Sequence, residues 1–298
     1  MNRLYLTVIC FFLFAPSSLS QYIDPLYFKS PEKVWVTEGN LNFNISQVRL
    51  NNWVGGGQNS ISLGSLFSYN ANYKKGVNSW RNSIEAAYGL IRQGDAVIFR
   101  KTDDYMTLRS TFGRKVSDNF RVTSIYEFRT QFTKGYNHTE LGREDLISDF
   151  MAPGFMQISL GMSYSKKDFY EVILSPFTGK FTFVLNDSLS SVGAFGVVPG
   201  EKVRLEGGPS IRGTIQKDIF ENIRLRSNLN LFSNYKKVQN IDVNWELFLI
   251  MKVNKYITSN ISTHIIYDDD IRIPQEDGRE LPEVQFKNVI NIGFAFQF

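Results

Sequence analysis

Apolar side chains recur at every second position through most of this chain. That period fits a β-strand with one greasy face and fits no helix. Residues 241–253 show it most cleanly: Ile241, Val243, Trp245, Leu247, Leu249, Met251 and Val253 share one parity, and Asp242, Asn244 and Glu246 the other. In 257–267, Ile257, Ile261, Ile265 and Tyr267 oppose Thr258, Asn260, Ser262 and His264. In 120–132, Phe120, Val122, Tyr126, Phe128 and Phe132 oppose Arg121, Thr123, Glu127, Arg129 and Gln131. The C-terminal segment 285–298 alternates likewise, and similar strands lie near 60–73, 80–90, 105–113, 155–165 and 223–232. Three more are irregular. Arg49 breaks the parity of 41–52, predicting a bulge near Gln47. The phase of 169–184 slips around Pro176 and Gly179, and Gly207-Gly208-Pro209 interrupts 202–216. The expectation is twelve strands.

Alternation alone also suits a soluble sandwich. The connections discriminate better. Those at 74–79, 114–119, 166–168, 217–222 and 254–256 are short, whereas 91–104, 133–154, 185–201 and 268–284 are long. Short turns on one side and long loops on the other predict a closed antiparallel transmembrane β-barrel. An even strand count then leaves both ends of the chain on the periplasmic side. Aromatic side chains make up 14% of the chain and fall at strand ends, as two interfacial belts require. Tyr73, Trp80, Phe120, Tyr164, Phe169, Tyr256 and Phe298 would form the inner ring, and Trp53, Tyr88, Phe132, Phe155, Phe183 and Tyr267 the outer one.

The opening residues 1–20 read as an export signal: Arg3, an apolar core from Leu4 to Ala15, and Ser18-Leu19-Ser20 as a small-x-small cleavage site. The single cysteine, Cys10, sits inside that core, so the remainder has neither disulfides nor thiol chemistry. Residues 21–40 are expected to be a periplasmic lead-in and 41–298 the barrel. The net charge of +4 comes from dispersed basic residues, which argues against a nucleic-acid partner. The partners this reading implies are outer-membrane lipid and lipopolysaccharide, the barrel-insertion machinery, and other outer-membrane proteins.

Several short motifs carry a family resemblance. They are Asn52-Trp53, Gly55-Gly56-Gly57-Gln58-Asn59, Trp80, Lys101-Thr102-Asp103-Asp104, Arg129-Thr130-Gln131-Phe132 and Gly135-Tyr136-Asn137. Ala152-Pro153-Gly154, Ser175-Pro176, Phe195-Gly196, Pro199-Gly200 and Tyr267-Asp268-Asp269 extend the set along the chain. The pattern resembles an uncharacterised family of Bacteroidota outer-membrane β-barrel proteins, of the domain-of-unknown-function type. That resemblance implies fold and location and brings no activity. Asp187-Ser188-Leu189 resembles an O-glycosylation acceptor of that phylum, and Asn137-His138-Thr139 fits an N-glycosylation sequon.

Strand parity sends Arg81, Arg109, Arg121, Arg129, Arg212, Arg224 and Arg226 into the lumen with Glu85, Glu127, Asp242 and Glu246. One reading is a constriction favouring small anions. The other is an ion-pair network that stiffens the wall. The loop acids Asp268, Asp269 and Asp270 are oxygen ligands of the kind Ca²⁺ takes, but they lack EF-hand spacing and read as solvated loop tips. No cofactor is implied. Enzymatic readings are poor, since only His138 and His264 offer imidazole bases. His264 shares the lumen face with Ser262, about 7 Å along the strand and too far for a direct bond. The functional alternatives are therefore a small-solute channel, a non-conducting accessory subunit of a larger outer-membrane complex, and, last, a barrel hydrolase centred on His264.

Overall fold

A computed structural model describes residues 34–51, 58–94, 98–138, 144–166, 169–254, 257–275 and 279–297. The leader, most of the lead-in, Asn52-Trp53, the Gly55-Gly56-Gly57 motif, Tyr256 and Phe298 lie outside them. In chain order the strands are β1 (Trp35–Val48), β2 (Ser60–Lys75), β3 (Asn78–Gln93), β4 (Arg100–Lys115) and β5 (Phe120–Thr130). Then come β6 (Gly135–His138), β7 (Glu144–Ser148), β8 (Gly154–Lys166), β9 (Tyr170–Phe183), β10 (Val203–Phe220) and β11 (Ile223–Asn234). The last five are β12 (Lys237–Lys252), β13 (Ile257–Tyr267), β14 (Arg272–Pro274), β15 (Glu280–Pro282) and β16 (Gln285–Gln297). Twelve of these close into one antiparallel barrel, each paired with the next barrel strand in chain order, and β16 returns to pair with β1. Two small hairpins, β6–β7 and β14–β15, stand in the long outer loops.

The barrel is inside-out relative to a water-soluble core. Eight apolar residues are buried against fourteen polar or charged ones among the described residues. Large apolar side chains face outward instead: Ile45, Leu160, Leu174, Phe177, Leu205, Ile290 and Ile292 are each more than half exposed. A water-facing surface of that character is rare on a soluble monomer. The shortest barrel strands, β5 and β13, have 11 residues, enough to cross a bilayer core when tilted about 45°.

The first strand begins at Trp35, six residues ahead of the expected boundary at 41, and pairs with β2 without a register shift. The bulge expected near Gln47 is absent: Arg49 lies just past the strand's end, so its parity carried no information. The slip at Pro176 is real. Ser175 and Thr178 of β9 oppose Ser210 and Gly208 of β10, so β9 holds one residue more than its partner across Pro176. Pro176 and Pro209 both lack an N–H, and a bulge is where a strand tolerates that loss. The extra residue inverts the inward parity of β9, from Ile173 and Ser175 before it to Thr178, Lys180 and Thr182 after it. On the outer side, β11 and β12 are joined by Tyr235 and Lys236 alone. Tyr235 stitches this hairpin to the bulge, its hydroxyl donating to the Pro176 carbonyl at 2.5 Å.

Part of the inner aromatic ring is assembled as expected. Phe120 and Tyr164 lie 5.1 Å apart, and Trp35, inside the supposed lead-in, packs on Tyr73 at 5.2 Å and Trp80 at 5.9 Å. The outer ring needs a correction: Phe155 is registered with inward-facing Arg129 and lines the lumen. Gly161 sits where β8 passes the bulge, and a Cβ there would run into the backbone of Leu174 and Ser175. Gly161→Ala is expected to cost about 1–3 kcal/mol, read as a lowered urea midpoint of the refolded barrel. Gly213→Ala, whose Cβ meets nothing within 4 Å, is the control and leaves the midpoint unchanged.

Candidate functional site: a charged belt across the lumen

Half-way along the barrel, inward side chains from eight strands meet. The carboxylate of Glu127 on β5 accepts from Arg109 Nε on β4 at 2.7 Å and faces Arg212 Nη2 on β10 at 2.9 Å. Arg109 is the registered cross-strand partner of Glu127, so the first contact follows directly from pairing. The second spans three strand positions, and the intervening β8 and β9 contribute small buried residues such as Ser163 and Ser175. Glu85 on β3 accepts from the Tyr105 hydroxyl at 2.8 Å and faces Arg226 on β11 at 3.6 Å. Arg226 also lies over the Phe248 ring at 4.4 Å. Amides complete the crossing: Asn230 donates to Gln157 at 3.1 Å, and the His264 imidazole bonds the Asn244 carbonyl oxygen at 2.9 Å.

The belt separates two cavities. The outer one, about 300 Å³, and the inner one, about 450 Å³, share only Glu127, Asn230 and Asn244 in their walls. Below the belt, Arg81 pairs with Glu171 at 2.5 Å and Arg224 with Asp218 at 2.6 Å, while Arg121 donates to Ser165. Above it, Lys180 on β9 gathers Asp242 at 2.6 Å, Asp268 at 2.7 Å and Glu206 at 3.8 Å. Arg204 bridges Glu206 and Asp270.

All ten expected lumen residues, Arg81, Glu85, Arg121, Glu127, Arg129, Arg224, Arg226, Asp242, Glu246 and His264, lie on the inward parity of their strands. They are not one group. Glu85, Glu127, Arg129, Arg226, Glu246 and His264 lie at the level of the belt with Arg109 and Arg212; Asp242 belongs to the mouth, and Arg81, Arg121 and Arg224 to the inner end. Lys180 and Glu171 escaped sequence reasoning because the bulge between them flips their parity. The loop acids are not solvated tips. Asp268 and Asp270 are held by Lys180, Arg204 and Lys237, and Asp269 by the Asn240 amide. Among the described residues no cluster of three His, Cys, Asp or Glu is placed to hold a metal ion.

A packed cap of loop residues borders this mouth. Ala152, Val184, Leu189 and Val197 form a small buried core, with Leu146, Ala194 and Phe195 packed on it. Leu189 belongs to the short helix α1 (Asp187–Ser191), which Asn186 caps by accepting from the Ser188 and Leu189 amides. Phe195 is held at φ 56°, a left-handed conformation that costs a bulky residue about 1–3 kcal/mol. Its ring lines the outer cavity.

Residues 45–136 match the family described as "Protein of unknown function (DUF3078)". That stretch holds the motifs from Asn52-Trp53 to Gly135-Tyr136; those from Ala152 onward lie beyond it. No protein of curated function matches. Among solved structures, the COG4313 outer membrane channel from Pseudomonas putida F1 is 14% identical, with 93% of this chain and 100% of that one covered and a TM-score of 0.42. The NanC porin is 10% identical, covering 86% and 98%, with a TM-score of 0.38. The translocator domain of the autotransporter NalP from Neisseria meningitidis is 8% identical, covering 91% and 90%, also at 0.38.

Two outcomes follow from this geometry. Glu127→Ala removes the carboxylate that Arg109 and Arg212 share and is expected to cost on the order of 2–3 kcal/mol, less than a fully dry pair because water reaches the belt. A double-mutant cycle with Arg109→Ala should return a coupling of about 1–3 kcal/mol in urea unfolding. The second concerns the mouth. Burial raises the pKa of Asp268, but Lys180, Arg204 and the Asp270 amide outweigh it and hold the carboxyl below its ordinary value. A depressed folded pKa gives stability that is complete above the unfolded value, about 3.9, and is lost as pH falls through the folded one. Cleavage by pepsin within the loop that begins at Asp268, measured relative to an unstructured peptide at each pH, should therefore accelerate as pH falls below about 4. In Lys180→Met that acceleration should shrink.

Proposed function

We propose that this chain is an outer-membrane barrel providing a narrow passage for small polar solutes, metered by the belt at Glu127. The apolar exterior and the aromatic inner rim support placement in a bilayer. The loops at the opposite end then face lipopolysaccharide, and the strands reach the membrane through the insertion machinery. One observation carries the channel reading. The cavities converge from both ends on the same three residues, so among the described residues only strand-borne side chains stand between them. A barrier of side chains opens by local rotamer changes, whereas a backbone plug must be withdrawn as a unit. The belt holds Arg109, Arg129, Arg212 and Arg226 against Glu85, Glu127 and Glu246, one positive charge in excess, which favours anions. His264, committed to Asn244, is given no catalytic role.

Planar bilayers test this. The refolded wild type should show small unitary currents with a modest anion preference. The Glu127→Ser/Arg212→Ser double variant, in which Arg109 keeps Glu85 and Glu246 nearby, should conduct at least twofold more. Silence from both proteins, with each migrating as a folded barrel on unheated gels, rejects the passage and favours an accessory, non-conducting role.

A further inference from the structure

The outer cavity has the composition of a ligand site more than of a water path. Tyr105, Phe155, Phe195, Phe232 and Ile266 line it. Inward-facing rings and aliphatic groups have no place in a lumen whose only contents are water and ions. Its volume, about 300 Å³, lies at the lower end of the range for small-molecule pockets.

The charges around it are spoken for, with one exception. Asp104 accepts from Lys101 at 2.9 Å and from the Phe132 and Thr133 amides. Glu127 is shared by Arg109 and Arg212, and Asp242 and Asp268 by Lys180. Arg129 is different. Among the described residues its guanidinium has no ion pair or hydrogen bond, and its contact is the face of the Tyr105 ring at 5.6 Å. It lines the cavity floor and supplies the positive excess of the belt. The mouth cluster, with Lys180, Arg204 and Lys237 against Glu206, Asp242, Asp268 and Asp270, carries the opposite excess of one. An anion reaching the floor is therefore drawn to Arg129 alone.

From this we infer a binding site for a small monocarboxylate with an aromatic or branched apolar body. The carboxylate would take the planar N–H fork of Arg129, a geometry suited to two parallel hydrogen bonds. The body would lie among Phe155, Phe195 and Phe232. The strained backbone of Phe195 fits such a role, since it fixes one wall of the cavity through the packed cap.

The inference rests on the passage proposed above only in naming what enters it, and its test needs no current. Binding of 1-naphthoate and of the uncharged 1-naphthamide to the full-length refolded barrel is measured by calorimetry, with empty micelles subtracted. Saturable naphthoate binding is expected, with the amide at least tenfold weaker. Arg129→Gln should bring naphthoate down to the level of the amide, while Arg129→Lys restores part of the difference. Phe232→Ala should weaken both probes. Equal binding of acid and amide, or naphthoate affinity unchanged in Arg129→Gln, overturns the site, and so does an absence of saturable binding to the folded wild type. A silent bilayer with intact naphthoate binding rejects the passage and keeps the site. Conductance without binding does the reverse.

Discussion

Closure of the backbone hydrogen-bonded ring is the constraint on which everything else depends. In a bilayer a strand with a greasy outer face would have no water there to satisfy its amides, so each N–H and C=O must find a neighbouring strand. Pairing of β16 with β1 removes the two open edges an unclosed sheet would leave. Once the ring is sealed, side-chain parity leaves no choice. Ile290, Ile292 and their equivalents go outward, and every polar residue on the other parity is confined with the rest in one narrow lumen.

Confinement explains the density of ion pairs. Eight strands deliver guanidinium, carboxylate and amide groups to one level of the lumen, where a charge lacking a counter-charge is costly. The result is pairing across long sequence separations: Arg212 with Glu127, and Lys180 with Asp268. The pairs hold the wall in shape and narrow the path together. Among the described residues, Arg129 alone of the belt arginines stands outside these pairs, against the Tyr105 ring.

The bulge at Pro176 has consequences beyond its strand. By adding one residue to β9 it turns Lys180 inward above the belt while Glu171 faces inward below it. Lys180 then collects carboxylates from β10, β12 and the loop after β13, and so draws the outer loop onto the barrel mouth. A local failure of backbone hydrogen bonding, forced by prolines on adjacent strands, thus organises the outer entrance.

Alternation, turn length and aromatic placement lay in the sequence, because each is a local property. They were enough to give twelve strands, the closed barrel and the inward parity of Glu127, Arg129, Glu246 and His264. Three-dimensional assembly decided the rest. The start of β1 at Trp35 depends on β2 offering partners as far as Tyr73, and the inward turn of Phe155 on its register with Arg129. Which arginine meets which carboxylate depends on the stagger of strands around the ring, a quantity no single segment encodes. The loop acids read as solvated because their cations lie far away in sequence, 88 residues in the case of Lys180 and Asp268. Periodicity determines which face a side chain takes, and only closure determines whom it meets there.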